Sequence, residues 1–262
     1  MKIDVRDLSY SIGPARIIDS VSMHITDGEC AAIVGPNGSG KTTLLRLMLS
    51  IVKASNGTIE FDGQSVGAYN SKELSQLRSS VPQSTTINSG LTVLNIIELA
   101  QLKQTLLWSN AESKKEKALK DQAIQEAISI TGVRGLLDRQ IDSLSGGEKQ
   151  KVLIARAIAQ NTPIILLDEP TNHLDPSARI EILEIIRALK KTRVVVLHDL
   201  DLALSYADRV FVMSDGQIPL SGRPEEVFQM EEFQRIFSIR TKLVQSPFKE
   251  GSNNLITGKL VV

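Results

Sequence analysis

The segment GPNGSGKT, residues 35 to 42, has the residue types and spacing of a phosphate-binding loop. It fits the pattern G-x-x-x-x-G-K-[ST] at every fixed position, after an apolar run and before helically spaced leucines. Glycines let backbone N–H groups turn inward around phosphates, and the helix N-terminus adds partial positive charge. Lys41 is expected to reach the β- and γ-phosphates, and the Thr42 hydroxyl to bind Mg²⁺. The predicted nucleotide contacts are Gly35, Pro36, Asn37, Gly38, Ser39, Gly40, Lys41, Thr42 and Thr43.

An acidic pair follows the apolar run IILLDE, residues 164 to 169. The run predicts a strand buried on both faces, with Asp168 at its carboxyl end, where ligands bind in open α/β sheets. Asp168 is therefore a candidate metal ligand. Glu169 is a candidate base that orients and deprotonates an attacking water. The alternative interpretation is a surface acidic pair at a strand end.

A second phosphate-binding turn is predicted at LSGGEKQ, residues 144 to 150. There a serine precedes two glycines at the start of a predicted helix, an arrangement that favours anions. The residues alone do not say why one chain carries two such turns.

Hydrophobic periodicity predicts the elements that must position these residues. Strands are predicted at 2–8, 21–25, 29–35, 57–63, 163–169, 193–199 and 209–216, and helices at 41–52, 91–108, 111–130 and 177–191. The helix at 111–130 is predicted to bury Leu119, Ile124, Ala127 and Ile128, and the helix at 177–191 to bury Ile180, Leu183, Ile186 and Leu189. The tail after 240 has weak signals, and 251–254 resembles a loop. Alternating strands and helices predict a mostly parallel α/β sheet with helices on both faces.

Composition excludes several classes of protein. The 262 residues suit one domain with an insertion, and 42% are hydrophobic. Lys+Arg and Asp+Glu are equal at 30, which argues against nucleic acid as a partner. Cys30 is the one cysteine, so no internal disulfide is expected. The N-terminus lacks the apolar stretch of a signal peptide, and no apolar run approaches the roughly 18 residues of a membrane helix.

At this point the chain resembles the nucleotide-binding subunit of ABC transporters. GPNGSGKT resembles the Walker A motif, IILLDE the Walker B motif and LSGGE the signature motif of that family. TNHLD at 171–175 resembles the D-loop, Gln83 the Q-loop glutamine and His198 the switch histidine.

The resemblance implies a P-loop NTPase fold of the ABC-ATPase type, with an N-terminal antiparallel β part and a helical insertion. The implied single domain has its α/β core at 1–83 and 151–240, its helical subdomain at 84–150 and a C-terminal tail at 241–262.

The resemblance also assigns roles to site residues. Glu169, His198 and Gln83 are the implied catalytic residues, and Thr42, Gln83 and Asp168 the implied Mg²⁺ ligands. Tyr10 is the candidate to stack on adenine, with Ile12 as an apolar alternative. In the family each signature caps the γ-phosphate on a partner's Walker A. Ser145 and Gly147 would make that contact in a head-to-tail homodimer with two shared ATP molecules, which explains the second phosphate-binding turn.

The segment at 221–237 and the TNHLD wording resemble ATPases of iron–siderophore, heme or cobalamin importers. Such a subunit works on the cytoplasmic face of the membrane with a permease and with a substrate-binding protein. The permease would contact the helical insertion, with Trp108 or its apolar neighbours as candidates, and plain packing is the alternative role for Trp108. The stretch LAQLKQTLLW lacks a segment usual in that group. Zinc or manganese uptake, and a non-transport ABC ATPase, therefore stay open.

Overall fold

The computed structural model describes residues 1–83, 90–105, 114–246 and 253–259. The chain divides into two compact units, the first formed by Met1–Ala68 with Lys191–Val262 and the second by Tyr69–Lys190. The predicted helical subdomain, 84–150, falls inside the second unit, and its boundaries stay a prediction. Within the described ranges, no helix is long and apolar enough to cross a membrane. Trp108 and most of its neighbouring residues lie outside the described ranges.

The strands are β1 Ile3–Ile12, β2 Ala15–Ile25, β3 Cys30–Val34, β4 Asn56–Phe61, β5 Gln64–Ser65, β6 Arg78–Val81, β7 Ile164–Asp168, β8 Thr192–Val196, β9 Arg209–Ser214, β10 Gln217–Gly222, β11 Ile239–Gln245 and β12 Asn253–Lys259. The α-helices are α1 Lys41–Met48, α2 Ser71–Leu77, α3 Val93–Thr105, α4 Lys114–Thr131, α5 Gly146–Ala159, α6 Pro176–Ala188, α7 Leu200–Tyr206, α8 Pro224–Val227 and α9 Glu231–Phe237.

An antiparallel sheet with the order β2-β1-β4-β5 lies in the first unit. Its strands β1 and β2 form a hairpin in which Ile12 pairs with Ala15, so the turn consists of Gly13 and Pro14. Gly13 has a φ of 57°, which a glycine adopts without steric cost. This sheet confirms the predicted N-terminal antiparallel part.

A second group of strands in the first unit has the order β10-β9-β3-β8 and is mostly parallel. The central strand β3 pairs in parallel with both β8 and β9, whereas β10 is antiparallel to β9. Every residue of β3 is buried, including Cys30, because parallel strands are covered on both faces. This burial on both faces explains why the sequence of β3 is a continuous apolar run.

The second unit contains the parallel pair β6 and β7, together with α5, half of whose residues are buried. Its helices confirm most of the predicted apolar faces, but two residues were predicted wrongly. Leu119 is 55% exposed, and among the described side chains of α4 Ala123 is the first that is buried. Ile180 is 52% exposed. Residues spaced by three drift about 60° per step around a helix, so Ile180 lies away from the face that buries Ile186.

In the C-terminal tail β11 and β12 pair antiparallel, although the sequence pattern there predicts no strand. The predicted loop at 251–254 is wrong for Asn253 and Asn254, which are the first residues of β12. Leu255 is buried, and its backbone N–H donates to Asp201 Oδ1 in α7 at 2.7 Å. Hydrogen bonding to a helix therefore anchors this pair of strands.

Candidate functional site

The phosphate loop joins β3 to α1 in the first unit, and two glycines fix its path. A Cβ at Gly35 would lie 2.2 Å from the carbonyl oxygen of Met213. Gly40 precedes α1 with a φ of 105°, and a Cβ there would lie 2.9 Å from the carbonyl oxygen of Ile17. Any side chain at either position would collide with the backbone, so the tight loop requires glycine.

Lys41 is only 6% exposed, and its Nζ donates to the carbonyl oxygens of Gly35 at 2.9 Å and Pro36 at 2.8 Å. A buried ammonium needs such partners, and phosphate oxygens are stronger acceptors than carbonyls. Ser39 is 4% exposed, and its Oγ has no hydrogen-bond partner among the described atoms. Both groups fit a loop that receives an anion.

The other predicted loop contacts line the same turn. Asn37 and Gly38 are exposed at its tip. Thr42 and Thr43 lie in the first turn of α1, and the partial positive charge of a helix N-terminus favours an anion there.

His198 lies at the same sheet edge as this loop. Ile33 pairs with Val196, and the Leu197 N–H donates to the Ile33 carbonyl at 3.1 Å, so His198 and Gly35 follow neighbouring parallel strands. The His198 side chain is exposed. Directly after it, Asp199 caps α7 by accepting a hydrogen bond from the Leu202 N–H at 3.2 Å.

The two candidates for adenine contact lie on β1 of the same unit. Tyr10 is half-buried and pairs with Ile18 on β2. Ile18 in turn lies beside the phosphate loop, since its Cδ1 would be 2.9 Å from a Cβ at Gly40. Ile12 is 59% exposed at the end of the hairpin. The contact of Tyr10 with adenine stays a prediction.

The acidic residues lie in the second unit, at the carboxyl ends of two neighbouring parallel strands. Asp168 ends β7 and is 7% exposed. Gln83 follows β6 and donates through Nε2 to Glu169 Oε2 at 2.5 Å. The structure thus brings together three of the predicted residues.

Glu169 adopts an unusual backbone conformation, with a φ of 50°. A left-handed conformation at a residue other than glycine costs free energy and persists only where the surroundings fix it. Here the Asn172 N–H donates to the Glu169 carbonyl at 3.1 Å and closes the turn. The turn sets the direction in which the carboxylate leaves the strand.

Ser145 is the N-cap of α5 and lies in the second unit. Its Oγ accepts from the Glu148 N–H at 3.3 Å, while Glu148 Oε2 accepts from the Ser145 N–H at 2.8 Å. This backbone hydrogen bond holds the pKa of Glu148 below its ordinary value. A Cβ at Gly147 would lie 3.0 Å from the Cβ of Ala178, so the start of α5 packs tightly on α6. The Ser145 side chain is exposed.

A comparison with known families decides the identity of this fold. The ABC transporter family model matches residues 18–172. The chain belongs to the ABC transporter family.

Individual ABC proteins resemble the chain over nearly its whole length. It is 36% identical over 249 residues to the probable siderophore transport system ATP-binding protein of Bacillus subtilis, covering 94% of this chain and 89% of that protein. It is also 36% identical over 248 residues to the hemin import ATP-binding protein of Thermobifida fusca, covering 94% and 85%.

A solved ABC structure shares the fold. This dimeric ATP-binding cassette, in a post-hydrolysis state bound to ADP and phosphate, superposes with a TM-score of 0.70 at 27% identity. The match covers 85% of this chain and 98% of that chain.

The metal ligands implied for this ABC protein fit Mg²⁺ by their chemistry. Thr42, Gln83 and Asp168 all offer oxygen atoms, which Mg²⁺ prefers, and Mg²⁺ usually takes few protein ligands beside phosphate oxygens and water. Across the described ranges there is no group of three or more His, Cys, Asp or Glu that could hold a metal by itself.

Sequence reasoning missed two interactions at the site. Arg139 lies 3.4 Å from Glu148, which extends the cap of α5. Asn172 donates through Nδ2 to Glu169 Oε2 at 2.6 Å. The spacing of TNHLD after Glu169 is visible in the sequence, but the left-handed turn that creates the second contact is not.

Proposed function

We propose that this chain is the ATP-binding and ATP-hydrolysing subunit of an ABC importer that takes up an iron complex, either a siderophore or heme, or cobalamin. The likeness to siderophore and hemin import ATP-binding proteins over 94% of the chain carries this proposal. The buried Lys41 in its loop and the hydrogen-bonded Glu169 carboxylate support hydrolysis.

ATP binds through its phosphates to the loop of residues 35–43. Lys41 releases its carbonyl partners and pairs with the β- and γ-phosphates, and the hydroxyl of Ser39 gains an acceptor. Thr42, Asp168 and Gln83 would hold Mg²⁺, which would supply positive charge to the phosphate oxygens. His198 contacts the γ-phosphate from the end of β8.

Glu169 takes a proton from water. The water oxygen forms a bond to the γ-phosphorus while the bond from that phosphorus to the bridging oxygen breaks, and ADP leaves with that oxygen. A positioned base of this kind contributes about 10² to 10⁴ in rate.

Two copies of the chain sandwich ATP head to tail, with Ser145 and Gly147 of one copy facing the γ-phosphate on the other. The exposed Ser145 at the start of α5, and the likeness to a dimeric cassette, support this arrangement. The dimer associates with a membrane permease at the cytoplasmic face, and a substrate-binding protein delivers the cargo.

Growth of a deletion strain tests the transport function. Cells without this gene are supplied with an iron siderophore or heme as the sole source of iron, or with cobalamin when cobalamin must be taken up. They should fail to grow under at least one of these conditions. The wild-type gene should restore growth and an equally expressed Glu169→Gln variant should not. Failure only at low zinc or manganese would move the assignment to metal-ion uptake. Normal growth under all these conditions would favour a non-transport ABC ATPase.

A further inference from the structure

Asn172 lies in the turn between β7 and α6, and its side chain points to the acidic site. Its Nδ2 donates to Glu169 Oε2 at 2.6 Å. The family resemblance places this residue in the D-loop, where it is predicted to be a dimer-contact or loop residue without a chemical role.

The turn does not need this side chain for its own closure. The backbone N–H of Asn172 already donates to the Glu169 carbonyl at 3.1 Å. Buried Thr171 and Leu174 anchor the turn on both sides, whereas Asn172 is exposed. The side-chain amide therefore makes a separate bond to the carboxylate, beyond those that hold the backbone.

Gln83 donates to the same oxygen atom from the neighbouring strand end, at 2.5 Å. A carboxylate oxygen accepts about two hydrogen bonds, so the two amides use the lone pairs of Oε2. The terminal torsion of a glutamate is broad when nothing restrains it. Two donors from different elements restrain it here, so they fix the orientation of the carboxylate.

We propose that Asn172 is a positioning residue for Glu169: the Asn172 side-chain amide holds the carboxylate in the orientation that meets the attacking water. This inference rests on the proposed function, in which Glu169 is the base. Asn172 itself contacts neither ATP nor water in this role.

The test compares Asn172→Leu with Asn172→Gln in the purified full-length chain, by ATPase kinetics and ATP-binding measurements. Leucine has a similar size but no N–H, so kcat should fall about 10- to 100-fold, the effect of one hydrogen bond to a charged group. ATP affinity and KM should stay within about twofold. Glutamine returns an amide donor at an exposed position and should recover most of the loss.

Asn70→Ala is the matched control for lost stability. Asn70 accepts from the N–H groups of Lys72 and Glu73, its own N–H donates to Glu73 Oε2, and it caps α2. This variant should lower the melting temperature and leave kcat unchanged. A fall in kcat that tracks the melting temperature in both Asn70→Ala and Asn172→Leu would overturn the proposal.

A double variant separates this inference from the proposed function. In a Glu169→Gln background, Asn172→Leu should cause no further loss, because it acts through the carboxylate. Wild-type turnover by Glu169→Gln would refute the role of Glu169 itself. An inactive Glu169→Gln beside a fully active Asn172→Leu would refute only the role of Asn172. A loss in Asn172→Leu that disappears at high protein concentration would make Asn172 a dimer contact and would also refute the proposal.

Discussion

Ser145 has two roles, a structural one as the N-cap of α5 and a proposed functional one in the dimer, and the Ser145→Asp variant distinguishes them. In the lone chain its Oγ accepts the Glu148 N–H and caps α5. In the proposed dimer its hydroxyl donates to the partner's γ-phosphate. Aspartate caps helices as well as serine does, so Ser145→Asp should keep the cap and place a negative charge against the phosphate.

The contribution of the Ser145 cap to stability can be predicted. Ser145→Ala removes the acceptor of the Glu148 N–H but keeps the bond from the Ser145 backbone to the Glu148 side chain. Loss of a cap costs about 1 kcal/mol, which lowers the melting temperature by about 2 to 4 °C at this chain size. Ser145→Asp should show no such decrease.

The effect of Ser145 substitutions on dimer closure should be larger than their effect on stability. Two charges about 4 Å apart near a protein surface interact by about 4 kcal/mol, so aspartate should weaken dimer closure about a thousandfold. Ser145→Ala only loses one preorganised donor, and its hydrolysis rate should fall about 10² to 10³. ATP binding to the lone chain should be nearly normal in both variants, and also in Ser145→Arg, where the bulky side chain blocks closure.

The decisive assay mixes Ser145→Asp with Lys41→Ala chains. Each variant alone should be inactive. In a mixed dimer one nucleotide site contains both substituted residues, and the other site contains neither. Mixing should therefore restore part of the activity, and one nucleotide per dimer should be sandwiched. Loss of ATP binding by the lone Ser145→Asp chain, or no recovery on mixing, would refute the head-to-tail arrangement.

Two further predictions concern the first unit. Lys41→Ala should weaken ATP binding, because it removes the buried ammonium of the loop, and an unchanged affinity in titration calorimetry would contradict the phosphate-loop assignment. Burial opposes the charge of Glu29, but hydrogen bonds from the Thr26 N–H and hydroxyl and from Arg209 outweigh it and hold its pKa below the ordinary 4.5. A lowered pKa stabilises the fold above the unfolded value. Glu29→Gln should therefore lower the denaturation midpoint at pH 7, with a difference that shrinks as the pH falls below 4.5; a constant difference would contradict this.

Much of the site could be predicted because its residues stand in short contiguous motifs. The loop around Lys41 and the strand before Asp168 each combine an apolar run with a fixed spacing, and both lie at the predicted strand ends. Gln83 and Glu169 are far apart in sequence, and only their separate positions could be predicted. Their hydrogen bond depends on the parallel register of β6 and β7.

Other elements escaped prediction for physical reasons. The strand β6 has the sequence RSSV, which looks polar. Ser79 is nevertheless 2% exposed, because Thr162 Oγ1 donates to its hydroxyl at 3.0 Å. A partner far away in the sequence thus compensates the burial of a polar residue. The contact from Asn172 to Glu169 depends on the φ of 50° at Glu169, which no residue type in TNHLD indicates.

The lone thiol of the chain has a practical consequence. Cys30 is 5% exposed in β3, the strand that leads into the phosphate loop and pairs with β8 and β9 on its two sides. A thiol reagent reaches this sulfur only when the sheet around it opens. The rate of Cys30 modification therefore reports how often β3 opens, and measuring it requires no introduced label. Cysteines placed elsewhere for spectroscopy can be modified in the native protein while Cys30 stays protected.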